Sequence, residues 1–100
     1  MKIKTRLQGN VADVSVLMRH PMETGMRKDP ATGDLVSPHF IQRVVAMWNG
    51  KTVMDAQWGQ GISRNPFVNF RIRGAKHGDK IAVNWEDNKG EKASLETTID

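Results

Sequence analysis

Three histidines, His20, His39 and His77, are the side chains in this 100-residue chain best suited to moving protons or holding a metal. His20 and His39 flank one long connection that also contains Glu23, Asp29 and Asp34. A metal site at that end is conceivable, and a small metal-dependent enzyme built on the two histidines is one reading of the chain. No recognised ligand spacing such as His-x-x-x-His supports it. His77 lies in another segment and reads as an exposed loop residue. The chain has no cysteine, which removes disulfides, thiolate metal sites and thiol nucleophiles. Ser15, Ser37, Ser63 and Ser94 lack the setting of an activated serine. No catalytic residue, metal ligand or cofactor is therefore assigned, and the chain is expected to act by presenting surfaces.

Those surfaces must be held by strands, because no segment keeps a helical period. Asn49-Gly50 supplies the two positive φ angles of a type I′ turn and sets Trp48 opposite Lys51. Strict alternation from that turn places Ile41, Val45, Met47, Met54, Ala56 and Trp58 on the core face, interrupted by Arg43 and Thr52. The other face then carries Val44, Ala46, Trp48 and Val53, either as a partner-binding patch or under the rest of the domain. A second hairpin closes at Asp87-Asn88-Lys89-Gly90. With Gly90 left-handed in a three-residue loop, Trp85 pairs with Ala93, Val83 with Leu95 and Ile81 with Thr97. Alternation also marks Val14–Met18 and Val68–Ile72, and Ile3–Leu7 can add an edge strand. The fold class is all-β, an immunoglobulin-like β-sandwich of about seven strands in a single domain over residues 1–100. Strand parity puts segments 21–38, 59–66 and 87–90 at one end and 9–12, 49–50 and 74–79 at the other. The longer loops make the first end the working end.

Charge and composition narrow the partners. A net charge of +4 and a pI near 9.8 favour anionic partners without identifying one. The basic residues are scattered in sequence, and the densest run, Arg71-Ile72-Arg73 with Lys76 and His77 beyond, reads equally well as a solvated strand face. Nucleic acid is therefore not an expected partner, although a solitary basic β-domain binding an anionic ligand or nucleic acid stays as the alternative. No apolar run approaches the roughly 20 residues of a membrane-spanning helix, and no membrane association is expected. The basic start, Met1 to Arg6, is not followed by an apolar stretch of about 7–15 residues such as export signals carry. That leaves cytoplasm, prior processing, or export by a route not written in the chain.

Two loops at the working end carry the most specific information. The first runs from His20-Pro21-Met22-Glu23-Thr24-Gly25 through Met26, Arg27-Lys28-Asp29 and Thr32-Gly33-Asp34 to Pro38, longer than structureless connections usually are. The second, Gly59 to Pro66, has the shaped composition of Ile62-Ser63-Arg64-Asn65-Pro66. Together, His-Pro-Met-Glu-Thr-Gly, then Arg-Lys-Asp, then Ile-Ser-x-Asn-Pro with Phe67 next, resemble the SoxZ family from about His20 to the chain end.

The resemblance implies an immunoglobulin-like, non-catalytic subunit of the SoxYZ sulfur carrier of bacterial thiosulfate oxidation. The SoxY-type partner would hold sulfur intermediates on a cysteine at the end of a mobile C-terminal arm. This chain would form a heterodimer with it and help present the arm to other Sox enzymes through transient contacts. It also implies work in the periplasm, with export on the partner's signal. The loop residues expected at partner or client contacts are His20, Pro21, Met22, Glu23, Thr24, Gly25, Arg27, Lys28, Ile62, Ser63, Asn65 and Pro66; the candidate heterodimer face is Val44, Ala46, Trp48 and Val53. Arg27 and Lys28 are either a solvated charge cluster with Glu23 and Asp29, or cations that attract anionic sulfur intermediates or acidic patches. Met22 is either an adaptable contact or a plug over the core.

Overall fold

Ala12, Val14, Val16 and Met18 are each completely buried while Asp13, Ser15 and Leu17 point away, the period-2 signature of a strand with one face on a core. The computed structural model describes residues 1–100 and has seven such strands: β1 (Lys2–Gln8), β2 (Val11–Leu17), β3 (Ile41–Trp48), β4 (Lys51–Gln57), β5 (Phe67–Arg73), β6 (Lys80–Asp87) and β7 (Lys92–Thr98). All pairings are antiparallel, in a three-stranded sheet β1-β2-β5 and a four-stranded sheet β4-β3-β6-β7. The expected all-β sandwich is thus present. Its fourth strand joins the larger sheet, whereas the constant-type antibody arrangement puts it in the other.

Both turns behave as their residues dictate. Asn49 and Gly50 have φ of 48° and 81°, and Trp48 pairs with Lys51. Gly90 has φ 82°, and the pairs Trp85–Ala93, Val83–Leu95 and Ile81–Thr97 form as the apolar pattern requires.

Ile41 is buried as expected, but from Arg43 onward the faces of β3 are the reverse of those expected. Val44 and Ala46 are completely buried, and Arg43 is exposed and ion-paired with Asp55 at 2.7 Å. Two bulges cause the reversal. Against β6, Ile41 pairs with Asp87 and Arg43 with Glu86, so Gln42 is an extra residue that shifts the alternation by one. Against β4, Met47 pairs with Thr52 but Ala46 with Met54, so Val53 is extra there. Met54, Ala56 and Trp58 therefore still face inward as expected, but beside Ala46 and Val44 rather than Met47 and Val45.

The loops sort to the two ends as parity requires. The Gly74 and Ala75 amides donate to the Asn10 carbonyl, and Asn49 N–H to that of Lys80, at one end. Met18 N–H donates to Pro66 O, Asn65 N–H to His20 O, and Asn88 N–H to Phe40 O at the other.

Candidate functional site

The long connection from His20 to Phe40 is an irregular hairpin rather than a structureless loop. Backbone bridges join Glu23 to His39 and Lys28 to Leu35, and residues 30–32 turn its tip, closed by Gly33, at φ 75°, whose N–H donates to Asp29 O. The molecule measures 53 × 20 × 17 Å. Seven-residue strands span only about 23 Å, so end loops such as this finger supply much of the length.

Five of the six residues of the His-Pro-Met-Glu-Thr-Gly run, all but the exposed Pro21, have a structural task at the finger's base. His20 and Met22 are buried, and Met22 holds φ 47°, costly for a side chain of its size. Its thioether accepts the Ile41 N–H at 3.3 Å and covers the core, which settles Met22 as the plug. Glu23 takes a bidentate grip from Arg27, with contacts of 2.7–3.1 Å, and that hydrogen bonding holds its carboxyl below the usual range. Thr24 Oγ1 accepts the Met26 N–H. Gly25 sits at φ 87° against Pro38, where a Cβ would lie 2.6 Å from Pro38 Cγ. In the neighbouring loop, Asn65 Oδ1 accepts the His20 N–H while Asn65 N–H donates to His20 O, so the two motifs are stitched together. Ile62 packs against the core and Pro66 is buried. Of the expected contact residues, Pro21, Thr24, Arg27, Lys28, Ser63 and Asn65 are exposed.

Beneath the finger lies a cluster that joins the two ends of the long connection to the β6–β7 hairpin. Asp87, whose side chain is completely shielded, accepts four hydrogen bonds. His20 Nε2–H reaches Oδ2 at 2.9 Å and His39 Nε2–H at 2.7 Å; the Lys89 and Glu91 amides each reach Oδ1 at 2.9 Å. His39 Nε2–H also lies 3.1 Å from Glu91 Oε2. The imidazoles of His20 and His39 meet edge to face at 4.5 Å, and His20 meets Trp85 likewise at 5.1 Å. Burial alone would raise the Asp87 pKa. The hydrogen bonds from His20, the Glu91 amide, His39 and the Lys89 amide outweigh it and hold the carboxyl well below the usual range.

The donor atoms of His20, His39, Asp87 and Glu91 all lie within 4.8 Å of one another, the span of a metal centre. The hydrogen bonding does not fit one at His20. Its Nδ1 accepts the Met22 N–H at 3.1 Å, so the ring's proton sits on Nε2, directed at Asp87. Ligation through Nε2 would move that proton to Nδ1 and set two donors face to face. Metal-bound histidines instead donate from their second nitrogen. Around His20 and Asp87 the arrangement is a hydrogen-bonded clasp, with the His20 Nδ1 lone pair and both Asp87 oxygens engaged internally.

The sequence pattern brings His20, His39 and segment 87–90 to one end but singles out neither Asp87 nor Glu91; an aspartate opening the hairpin in that segment was the signal available. Sequence reasoning also passed over Arg64, which is exposed between two clefts. One, of about 470 Å³, is walled by Pro21, Met22, Glu23, Thr24, Arg27 and Arg64. The other, of about 500 Å³, runs past Ile62, Ser63 and Asn65 to Phe67. Arg27 is tied to Glu23, whereas Lys28 and Arg64 have no carboxylate within 4.0 Å.

The candidate heterodimer face does not exist as an open surface. Val44 and Ala46 are interior, and the half-buried Trp48 donates from Nε1 to Asp79 Oδ2 at 2.9 Å at the far end of the sandwich. Only Val53, at its bulge, is exposed, by 37%.

Compared with protein-family models, residues 1–98 match the family described as sulphur oxidation protein SoxZ. No curated protein matches the chain significantly.

Proposed function

Since this chain belongs to the SoxZ family and so to the sulfur-oxidation Sox system, we propose that it is the non-catalytic half of a two-chain sulfur carrier. The observation that carries this reading is the absence of cysteine from a member of a sulfur-handling family. Covalent carriage of a sulfur intermediate needs a thiolate, so the carrying cysteine belongs to a SoxY-type partner. The clasp supports the non-catalytic assignment: His20 and His39 direct their Nε2–H groups at carboxylates, and no nucleophile stands among their hydrogen-bond partners. The finger and the Gly59–Pro66 loop, locked together through His20 and Asn65, form a stiff platform beside the two clefts. Arg64 and Lys28 there are free cations suited to an anionic sulfur adduct on the partner's arm or to acidic groups of Sox enzymes that visit it. The complex works in the periplasm, carried across the membrane by the partner's signal.

Co-expression with a SoxY-type chain tests the assembly. A stable one-to-one complex by light scattering is expected, and a chain that stays monomeric beside its partner refutes the carrier reading. Arg64→Glu should leave that complex intact and slow turnover of the reconstituted pathway. Unchanged turnover across a range of salt removes Arg64 from the proposal.

A further inference from the structure

The basic residues that look scattered in sequence are gathered by the fold. Side chains on the outer face of the β1-β2-β5 sheet form cross-strand rows: Lys2–Leu17–Phe67, Lys4–Ser15–Asn69, Arg6–Asp13–Arg71 and Gln8–Val11–Arg73. This face carries five basic side chains and one acidic one. The other ten basic and ten acidic residues of the chain cancel, so the whole net charge of +4 resides on one sheet face. The opposite sheet is paired within itself, Arg43 with Asp55, Lys80 with Glu96 and Lys92 with Glu86. Here the only ion pair is a loose one, Arg71 to Asp13 at 3.9 Å, and Lys2, Lys4, Arg6 and Arg73 have none. Lys2, Lys4 and Arg6 recur along one strand about 6.7 Å apart, inside a Debye length of about 8 Å at physiological salt. They repel one another until an anionic surface meets them.

At one end of the face the charge gives way to an apolar spot. Leu17 and Phe67 are cross-strand partners, 42% and 65% exposed. With Ser15 and the stems of Lys2 and Lys4 they wall a depression of about 170 Å³, close to the ~150 Å³ that accommodates a benzene ring. Charged residues on an edge strand can serve only to prevent edge pairing. That task leaves no reason to expose Leu17, which lies on the central strand.

We propose that this face is a docking surface for an acidic protein partner that seats one aromatic or leucine side chain between Leu17 and Phe67. Arginine and aromatic residues around an apolar anchor are the composition of protein interfaces. Binding of single-stranded nucleic acid relies on several stacking aromatics, and Phe67 is the only one on this face. Unpaired lysines mark a surface that is wet when free, so the docking is transient, and it does not rest on the carrier reading.

Amide NMR on the full chain, titrated with a short Asp/Glu-rich peptide containing one central Phe, tests this. Shifts are expected at Lys4, Ser15, Leu17, Phe67, Asn69 and Arg71. Affinity should fall roughly tenfold or more between about 50 and 200 mM salt. Replacing the peptide's Phe with Ala, or Phe67→Ser in the protein, should weaken binding roughly fivefold or more. Lys4→Glu with Arg71→Glu should abolish it, while Lys51→Glu with Lys89→Glu on the opposite side should leave it unchanged. Shifts spread over all basic loops, equal loss from the Lys51/Lys89 pair, or tighter binding of a short DNA duplex to the same residues would each overturn the proposal.

Discussion

Asp87→Asn is the substitution that probes the clasp most sharply. The carboxylate is acceptor to four donors, His20 Nε2–H, His39 Nε2–H and the Lys89 and Glu91 amides, at 2.7–2.9 Å. Asparagine keeps its shape but replaces one oxygen by an NH2 group, and that group meets donors whichever way the amide is turned. Turned inward it faces both imidazoles, and His20 cannot switch tautomer because Nδ1 already takes the Met22 N–H. Turned outward it opposes the two hairpin amides. Lost charge-assisted bonds are worth about 1.5–3 kcal/mol and an unmet buried donor about 1–3 kcal/mol. The expected destabilisation is therefore about 2–4 kcal/mol for Asp87→Asn and about 3–5 kcal/mol for Asp87→Ala. Against a total of about 5–15 kcal/mol, this would be a large loss. For a domain of this size, 2–4 kcal/mol lowers Tm by roughly 10–20 °C. Urea unfolding with unchanged m-value measures the first number, and calorimetry checks the second. Nitrogen NMR of the wild-type imidazole gives a separate readout, with the proton of His20 on Nε2. A variant within about 0.5 kcal/mol of wild type, or a His20 proton found on Nδ1, refutes the network as drawn.

Three further outcomes follow from the same structure. Asp87 has a folded pKa below its ordinary 3.8, so its stabilising contribution is complete above that pH. It is lost as pH falls further, because the unfolded chain takes up the proton first; wild type should therefore lose stability more steeply than Asp87→Ala in acid unfolding between pH 4 and 3. Gly25→Ala places a Cβ 2.6 Å from Pro38 Cγ at φ 87°, costing about 1–3 kcal/mol, with faster hydrogen exchange in the finger and little change in β2 or β6. Val44→Ala, in a fully buried position, should cost about 2 kcal/mol, and Val44→Asp should prevent folding; a stable, folded Val44→Asp protein would restore that face as a surface.

How much of this was legible in the residues depends on the distance over which the information acts. Short-range rules carried the strands, both turns and the sorting of loops to two ends. Asn49-Gly50 and Gly90 need positive φ wherever they stand, and apolar alternation selects its own register. The loop motifs identified the family. Single extra residues at Gln42 and Val53 lay beyond those rules. A bulge is chosen by how two neighbouring strands fit, and one residue of slip turned Val44 and Ala46 from surface to core. The clasp is tertiary in the same sense, since His20, His39, Asp87 and Glu91 come from three segments and only their convergence fixes His20's tautomer. Charge is the clearest case. The sequence determines a net +4, but only the pairing of β1, β2 and β5 places all of it on one face. Electrostatic interaction acts through space, and the fold sets those separations.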